Sequence, residues 1–224
     1  AANAAQISGL TATSVSTFTA ASQLNSTATN ISITADDAGT TGTSVSLAGA
    51  DLNDQSMTLT VASDVVITAN VLSTGGTGDT VTIFGTTAGT TFQIGDDGIA
   101  DNFNVEISET SAAFIQNTFD ALVIGDTTDQ IGSINIDDSN ADDTLTLNTG
   151  LTLRQLDAGA GEINILSSIT TDGDFTVSGS RSSFNVNGST TFNTTANSNN
   201  VQINDTIVFI NDDDDLAILT SGGS

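Results

Sequence analysis

The stretch "DFTVSGSRSSFNVNGSTTFNTTANSNNVQINDTIVFI", Asp174 to Ile210, alternates apolar and polar residues in short runs, each cut off by Gly, Ser or Asn. A period of two puts neighbouring side chains on opposite faces of a strand, and the breaks come too often for a helix. Phe175–Val177, Phe184–Val186, Thr191–Asn193, Val201–Ile203 and Ile207–Ile210 therefore read as strands. The same signature appears at Ile31–Ile33, Val45–Leu47, Met57–Val61, Val65–Ile67, Thr80–Phe84, Phe92–Ile94 and Phe103–Ile107. It continues at Ala121–Ile124, Ile134–Ile136, Thr144–Leu147, Leu151–Leu153, Glu162–Leu166 and Leu216–Leu219. Only "SETSAAFIQNTF", Ser108 to Phe119, reads as a helical turn, with Ala112, Ala113, Ile115 and Phe119 sharing one face.

So many short strands with Gly, Asn and Ser corners and no proline favour an all-β fold, a β-solenoid of the parallel β-helix kind. In such a coil each rung buries its inward residues against its neighbours, and polar corner side chains stack between rungs. A β-sandwich is the alternative, but it needs fewer and longer strands joined by hairpins. No composition shift or linker divides the chain. Residues 1–30, rich in Ala, Ser and Thr, read as a weakly patterned N-terminal segment suited to pairing with another subunit; residues 31–224 read as one solenoid domain.

The formal charge is −25, from 27 acids against Arg154 and Arg181. Nucleic acid and anionic membranes are excluded as partners, since both recruit Lys and Arg to their phosphates. Cations and cationic partners are favoured. Disorder is excluded by the recurring Ile, Leu, Val and Phe. There is no apolar run of membrane-spanning length and no signal-peptide pattern, so a start at "AANAAQ" reads as a mature form or a fragment. The absence of cysteine removes disulfides and thiolate metal sites. Outward positions filled by Ser, Thr, Asn, Asp and Gly, with no lysine, suit an extracellular or cell-surface protein.

Catalysis would have to rest on carboxylates alone, because His, Lys, Cys and Tyr are missing. Asp96/Asp97 and Asp172/Asp174 are the pairs to weigh for polysaccharide cleavage. Aspartates in Gly-rich turns, however, ordinarily bond to their own backbone, and the Trp and Tyr that line sugar sites are absent. No catalysis is expected. Calcium is the stronger expectation. "DDSNADD" sets Asp138, Asn140 and Asp142 at alternating positions, the first half of a calcium loop, although Asp143 and Thr149 stand where the loop wants Gly and Glu. "NDDDD" concentrates Asp212, Asp213, Asp214 and Asp215 between two apolar strands, where mutual repulsion favours a Ca²⁺ ion or a cationic neighbour. Sequons occur at Asn25, Asn30, Asn187, Asn193 and Asn204, as expected by chance in so much Asn, Ser and Thr. Thr58/Thr60, Thr80/Thr82 and Thr144/Thr146 would order water if they stacked at one rung spacing. Phe175, Phe184, Phe192 and Phe209 read as core fillers.

"TGGTGDTVTIFGT" (Thr74–Thr86) and "SNADDTLTLNTG" (Ser139–Gly150) resemble degenerate rungs of large secreted bacterial adhesins, the filamentous-haemagglutinin-like β-helices and the RTX-type calcium β-rolls. Gly75, Gly76 and Gly78 fit the RTX nonapeptide, while Asp79 falls one position early. "NTFDALVIGDTTDQIGSINI" (Asn117–Ile136) is similar to repeats of giant haemagglutinin-like surface proteins. The resemblance covers most of the chain after Leu52 and implies export and a structural or adhesive role. The expectation is a non-catalytic extracellular structural protein, a segment or subunit of a surface filament, S-layer or adhesin that associates head-to-tail and meets surface glycans. The alternative is a calcium-dependent carbohydrate- or ice-binding module.

Overall fold

A computed structural model describes residues 5–7, 11–15, 17–26, 30–35, 43–75, 77–95, 103–137, 144–156, 161–179, 184–186, 189–194, 199–204, 207–209 and 214–220. The chain climbs in rungs of three short strands. The first are β1 (Ala5–Ile7), β2 (Thr11–Val15) and β3 (Phe18–Ala20), then β4 (Leu24–Ser26), β5 (Ile31–Ala35) and β6 (Thr43–Leu47). β7 (Ala50–Asp51), β8 (Met57–Val61) and β9 (Asp64–Ile67) follow, then β10 (Val71–Leu72), β11 (Thr80–Gly85) and β12 (Phe92–Gly95). An irregular passage holds β13 (Val105–Ser108) and one helical turn, α1 (Glu109–Ala113). The climb resumes with β14 (Ala121–Ile124), β15 (Ile134–Ile136) and β16 (Thr144–Leu147), then β17 (Gly150–Gln155), β18 (Ile163–Ile165) and β19 (Ser168–Thr171). β20 (Phe175–Gly179), β21 (Phe184–Val186) and β22 (Thr190–Thr194) lead to β23 (Val201–Ile203), β24 (Ile207–Phe209) and β25 (Leu216–Thr220).

Every strand pairing is parallel, and the pairings build three faces. Face two is unbroken, in the order β2-β5-β8-β11-β14-β17-β20-β23. Face one consists of β1-β4-β7-β10 and, beyond α1, β16-β19-β22-β25. Face three consists of β3-β6-β9 and then β13-β12-β15-β18-β21-β24. This is a β-solenoid, as the alternation of short strands predicts.

Alternation also explains the core. In β8, Met57, Leu59 and Val61 are buried while Thr58 and Thr60 face outward. Stacking repeats that choice from β5 to β20 on face two, so Ile31, Met57, Val81, Leu122, Leu151 and Phe175 form one continuous inward row. Each such side chain stabilises by about 1.5–3 kcal/mol on burial, and no rung could hide its apolar side alone. Phe175 and Phe192 are fully buried core residues as expected; the side chains of Phe184 and Phe209 lie outside the described residues.

Three features differ from the sequence reading. The first 30 residues contribute β1 to β4, which join the ladders of their own chain: Leu24 pairs with Ala50 and Phe18 with Val45. Their Ala, Ser and Thr give little hydropathic contrast, yet small side chains suit tight rungs. The expected helical turn shrinks to α1, capped by Ser108, whose Oγ accepts from the Ser111 N–H at 3.2 Å. Lastly, β13 follows β12 in sequence but lies on its N-terminal side, next to β9, so the ladder of face three departs from chain order.

Candidate functional site

The ends of the coil come first. β23, β24 and β25 each have a ladder neighbour on one side only, as do β1, β2 and β3 at the other end. Ile218 pairs with Phe192, which is fully buried, so it occupies an inward position. Even so, Ile218 is 49% exposed and Ile207 37%, because no described residue is stacked above them; Leu219, opposite outward Asn193, is 47% exposed. The two ends also differ in charge. Residues 1–35 contain no Asp, Glu, Lys or Arg, whereas "NDDDD" at 211–215 lies between β24 and β25 in sequence.

Of the expected calcium ligands, Asp138, Asn140, Asp142, Asp212 and Asp213 lie outside the described residues. Asp214 is half-buried and Asp215 exposed, immediately before β25; the Asp215 carbonyl accepts from the Thr190 N–H at 2.8 Å. Among the described residues no three acidic, His or Cys side chains group together to hold a metal.

The carboxylates weighed for catalysis act as hydrogen-bond acceptors. Asp172 Oδ2 accepts from Asn117 Nδ2 at 2.7 Å, and Asp174 Oδ1 from the Asn200 N–H at 2.8 Å, one rung on. Asp96 and Asp97 lie outside the described residues. Two other aspartates have shifted acidity. Burial pushes the Asp64 carboxyl up, against the opposing pull of the Glu106 N–H at 3.0 Å. At Asp126 burial also pushes upward, but it is outweighed by the N–H groups of Asp129 and Thr128, each 2.6 Å from Oδ1, the Thr128 hydroxyl at 2.8 Å and the Gln130 N–H. The Asp126 carboxyl therefore sits below its ordinary value.

The Thr-x-Thr pairs divide between two faces. Thr58 and Thr82 share one outward row of face two with Ser32, Thr152 and Thr176, and the row contains no charged residue. Val123 interrupts it, and Thr60 is followed by Phe84 in the adjacent row. Thr144 and Thr146 instead lie on face one, beside Ser168 and Thr170. Among the sequons, Asn30 and Asn204 are exposed, Asn25 and Asn193 are half-buried, and Asn187 lies outside the described residues.

Sequence reasoning missed two arrangements. One is an amide ladder on face three, in which Asn135, Asn164 and Asn185 stack in register and bond to one another. Its signal was the recurring "INI", "INI", "FNV" at the centres of β15, β18 and β21. The other is an open cleft of about 420 Å³ where face one is interrupted, lined by Asn70, Glu109, Thr110, Ala113, Phe114, Gln116 and Asn148. Its residues lie far apart in sequence, so no local motif marks it.

The fold is that of a β-solenoid of parallel strands. No protein-family model matches the chain, and no curated protein or solved structure matches it either. No helix among the described residues is long and apolar enough to cross a membrane.

Proposed function

We propose that the chain is a non-catalytic extracellular structural protein, a segment or subunit of a surface filament, S-layer or adhesin that extends by stacking rung on rung. The observation that carries this reading is the last described rung, β23 to β25, whose strands each have one described ladder neighbour and which leaves the inward-row residues Ile207 and Ile218 exposed. Three open strands at one end meet three at the other, one for each face, so a head-to-tail contact continues all three sheets. Such a contact is heterologous and propagates into an open filament. Charge favours the same polarity, because the uncharged first rungs approach the acidic 211–215 corner with less repulsion than a second acidic end would. Calcium enters this reading at Asp212–Asp215, where a divalent ion would screen the docking corner, and at the Asp138/Asn140/Asp142 turn. A surface of hydroxyls, amides and carboxylates without lysine supports an extracellular setting and contact with neutral surface glycans rather than nucleic acid or anionic membrane.

Sedimentation and negative-stain imaging test the reading. The wild-type protein should form elongated assemblies as concentration rises, more readily in calcium than in chelator, and Ile218→Asp should abolish them. Strict monomers at every concentration, with and without calcium, would contradict it.

A second reading, an ice-binding module, rests on the uncharged outward row Ser32, Thr58, Thr82, Thr152 and Thr176 of face two. Its hydroxyl positions repeat at the strand spacing of about 4.8 Å, with one gap at Val123. Inhibition of ice recrystallisation that is lost in Thr58→Lys would favour this reading; unaltered ice growth would dismiss it.

A further inference from the structure

The cleft at the interruption of face one is rich in hydrogen-bond acceptors. Asn148 donates Nδ2–H to the Ala113 carbonyl at 2.7 Å, and Gln116 donates Nε2–H to the carbonyls of Ala113 and Phe114 at 3.0 and 3.3 Å. Reversing either amide would set oxygen against oxygen, so these contacts fix both orientations. With the nitrogens turned to the helical turn, the amide oxygens are the atoms left to meet a ligand. Glu109 adds a carboxylate, whose Oε1 accepts from the Thr146 N–H at 2.9 Å. Half-buried Phe114 adds an apolar ring, and no arginine lines the cleft among the described residues.

We propose that this cleft binds a primary alkylammonium group, of the kind presented by a lysine side chain or a polyamine end. An ammonium has three donors and no acceptor, which matches amide oxygens and a carboxylate. Its alkyl stem packs on Phe114, and the ring face attracts the cation. The formal charge of −25 concentrates cations around the whole molecule and repels anionic ligands. A bare divalent ion needs a tight cage of oxygens, and an open cleft of about 420 Å³ is better filled by an organic group. The chain contains no lysine, so no side chain of a second copy can supply the ammonium. The ammonium therefore comes from outside these 224 residues, which makes this site independent of the stacking of these rungs.

Amide NMR shifts in physiological salt test the site, with n-butylammonium as the probe and n-butanol and glucose as neutral comparisons. Butylammonium should shift the signals of residues 109–116 and 146–148, and the neutral compounds should not. Glu109→Gln keeps an acceptor for the Thr146 N–H but removes the charge, and should weaken binding about five- to tenfold. Asp129→Asn removes the same charge at the exposed corner between β14 and β15, away from face one, and should leave binding within about twofold. Equal shifts with butanol or glucose, equal losses in the two variants, or no shift at all would overturn the proposal. The comparison of probes on the wild-type protein holds whether or not the variants fold.

Discussion

Asn164 donates an Nδ2 hydrogen to Asn135 Oδ1 at 2.9 Å, one rung away on face three, and its own Oδ1 accepts from Asn185 Nδ2 at 2.8 Å. Asn185 also reaches Glu162 Oε2 at 2.7 Å. Parallel in-register stacking brings identical amides to the spacing at which each satisfies the next. Asn164→Ala removes two such bonds and leaves Asn135 without its donor from above. The expected loss is about 1–3 kcal/mol in urea unfolding, whereas Asn204→Ala at an exposed position should cost under about 0.5 kcal/mol.

The rings of Phe175 and Phe192 lie 4.7 Å apart between centroids, tilted by 53°, and both are fully buried. Phe192→Ala should cost about 3–5 kcal/mol, and Phe192→Leu under about half of that. Rungs contact mainly their neighbours, so hydrogen exchange should accelerate first in β19 to β25 and leave β5 to β11 protected.

Gly125 has φ +76, and a Cβ there would lie 2.3 Å from the Arg154 carbonyl oxygen on the next rung. Gly75 has φ +107, with nothing within 4 Å of its Cβ position. Gly75→Ala should therefore cost only the left-handed backbone term, about 1–2 kcal/mol. Gly125→Ala adds a backbone collision and should cost more; equal thermal unfolding midpoints for the two variants would contradict this.

Asp64 and Asp126 predict opposite pH effects. The lowered Asp126 pKa stabilises the fold above the ordinary Asp value of about 3.9, and this contribution disappears as pH falls through the folded value. For Asp64 the folded value is raised, so its contribution is present below about pH 3.9 and is lost as pH rises through the folded value. Thermal melting at neutral pH should show Asp126→Asn less stable and Asp64→Asn more stable than wild type. Both differences should shrink near pH 3.

The strands that could be read from sequence are those with strong contrast between alternate positions, such as Met57–Val61 and Thr144–Leu147. Ala50–Asp51 and Val71–Leu72 are too short to show any alternation, and Ala5–Ile7 and Phe18–Ala20 are three-residue runs set among Ala, Ser and Thr, too short to stand out. The placement of β13 between β9 and β12 leaves no local trace, because periodicity reports which side of a strand faces inward, not which strand lies next to it. The α1 cleft was hidden for a related reason: Asn70, Glu109 and Asn148 meet only after the coil has closed.

The account depends most on head-to-tail stacking, which continues face three by laying β3 of one copy against β24 of another. The chain has no cysteine, so single thiols report contacts between copies without background. Thr19→Cys marks an exposed outward position on β3, and Val208→Cys marks the position of β24 that pairs with Asn185. Each variant alone and the two mixed are treated with a short bis-maleimide and analysed by mass spectrometry. Head-to-tail stacking predicts cross-linked dimers only in the mixture, each joining one Thr19→Cys chain to one Val208→Cys chain. Cross-links within either variant alone, or none in the mixture at concentrations where assemblies sediment, would contradict it.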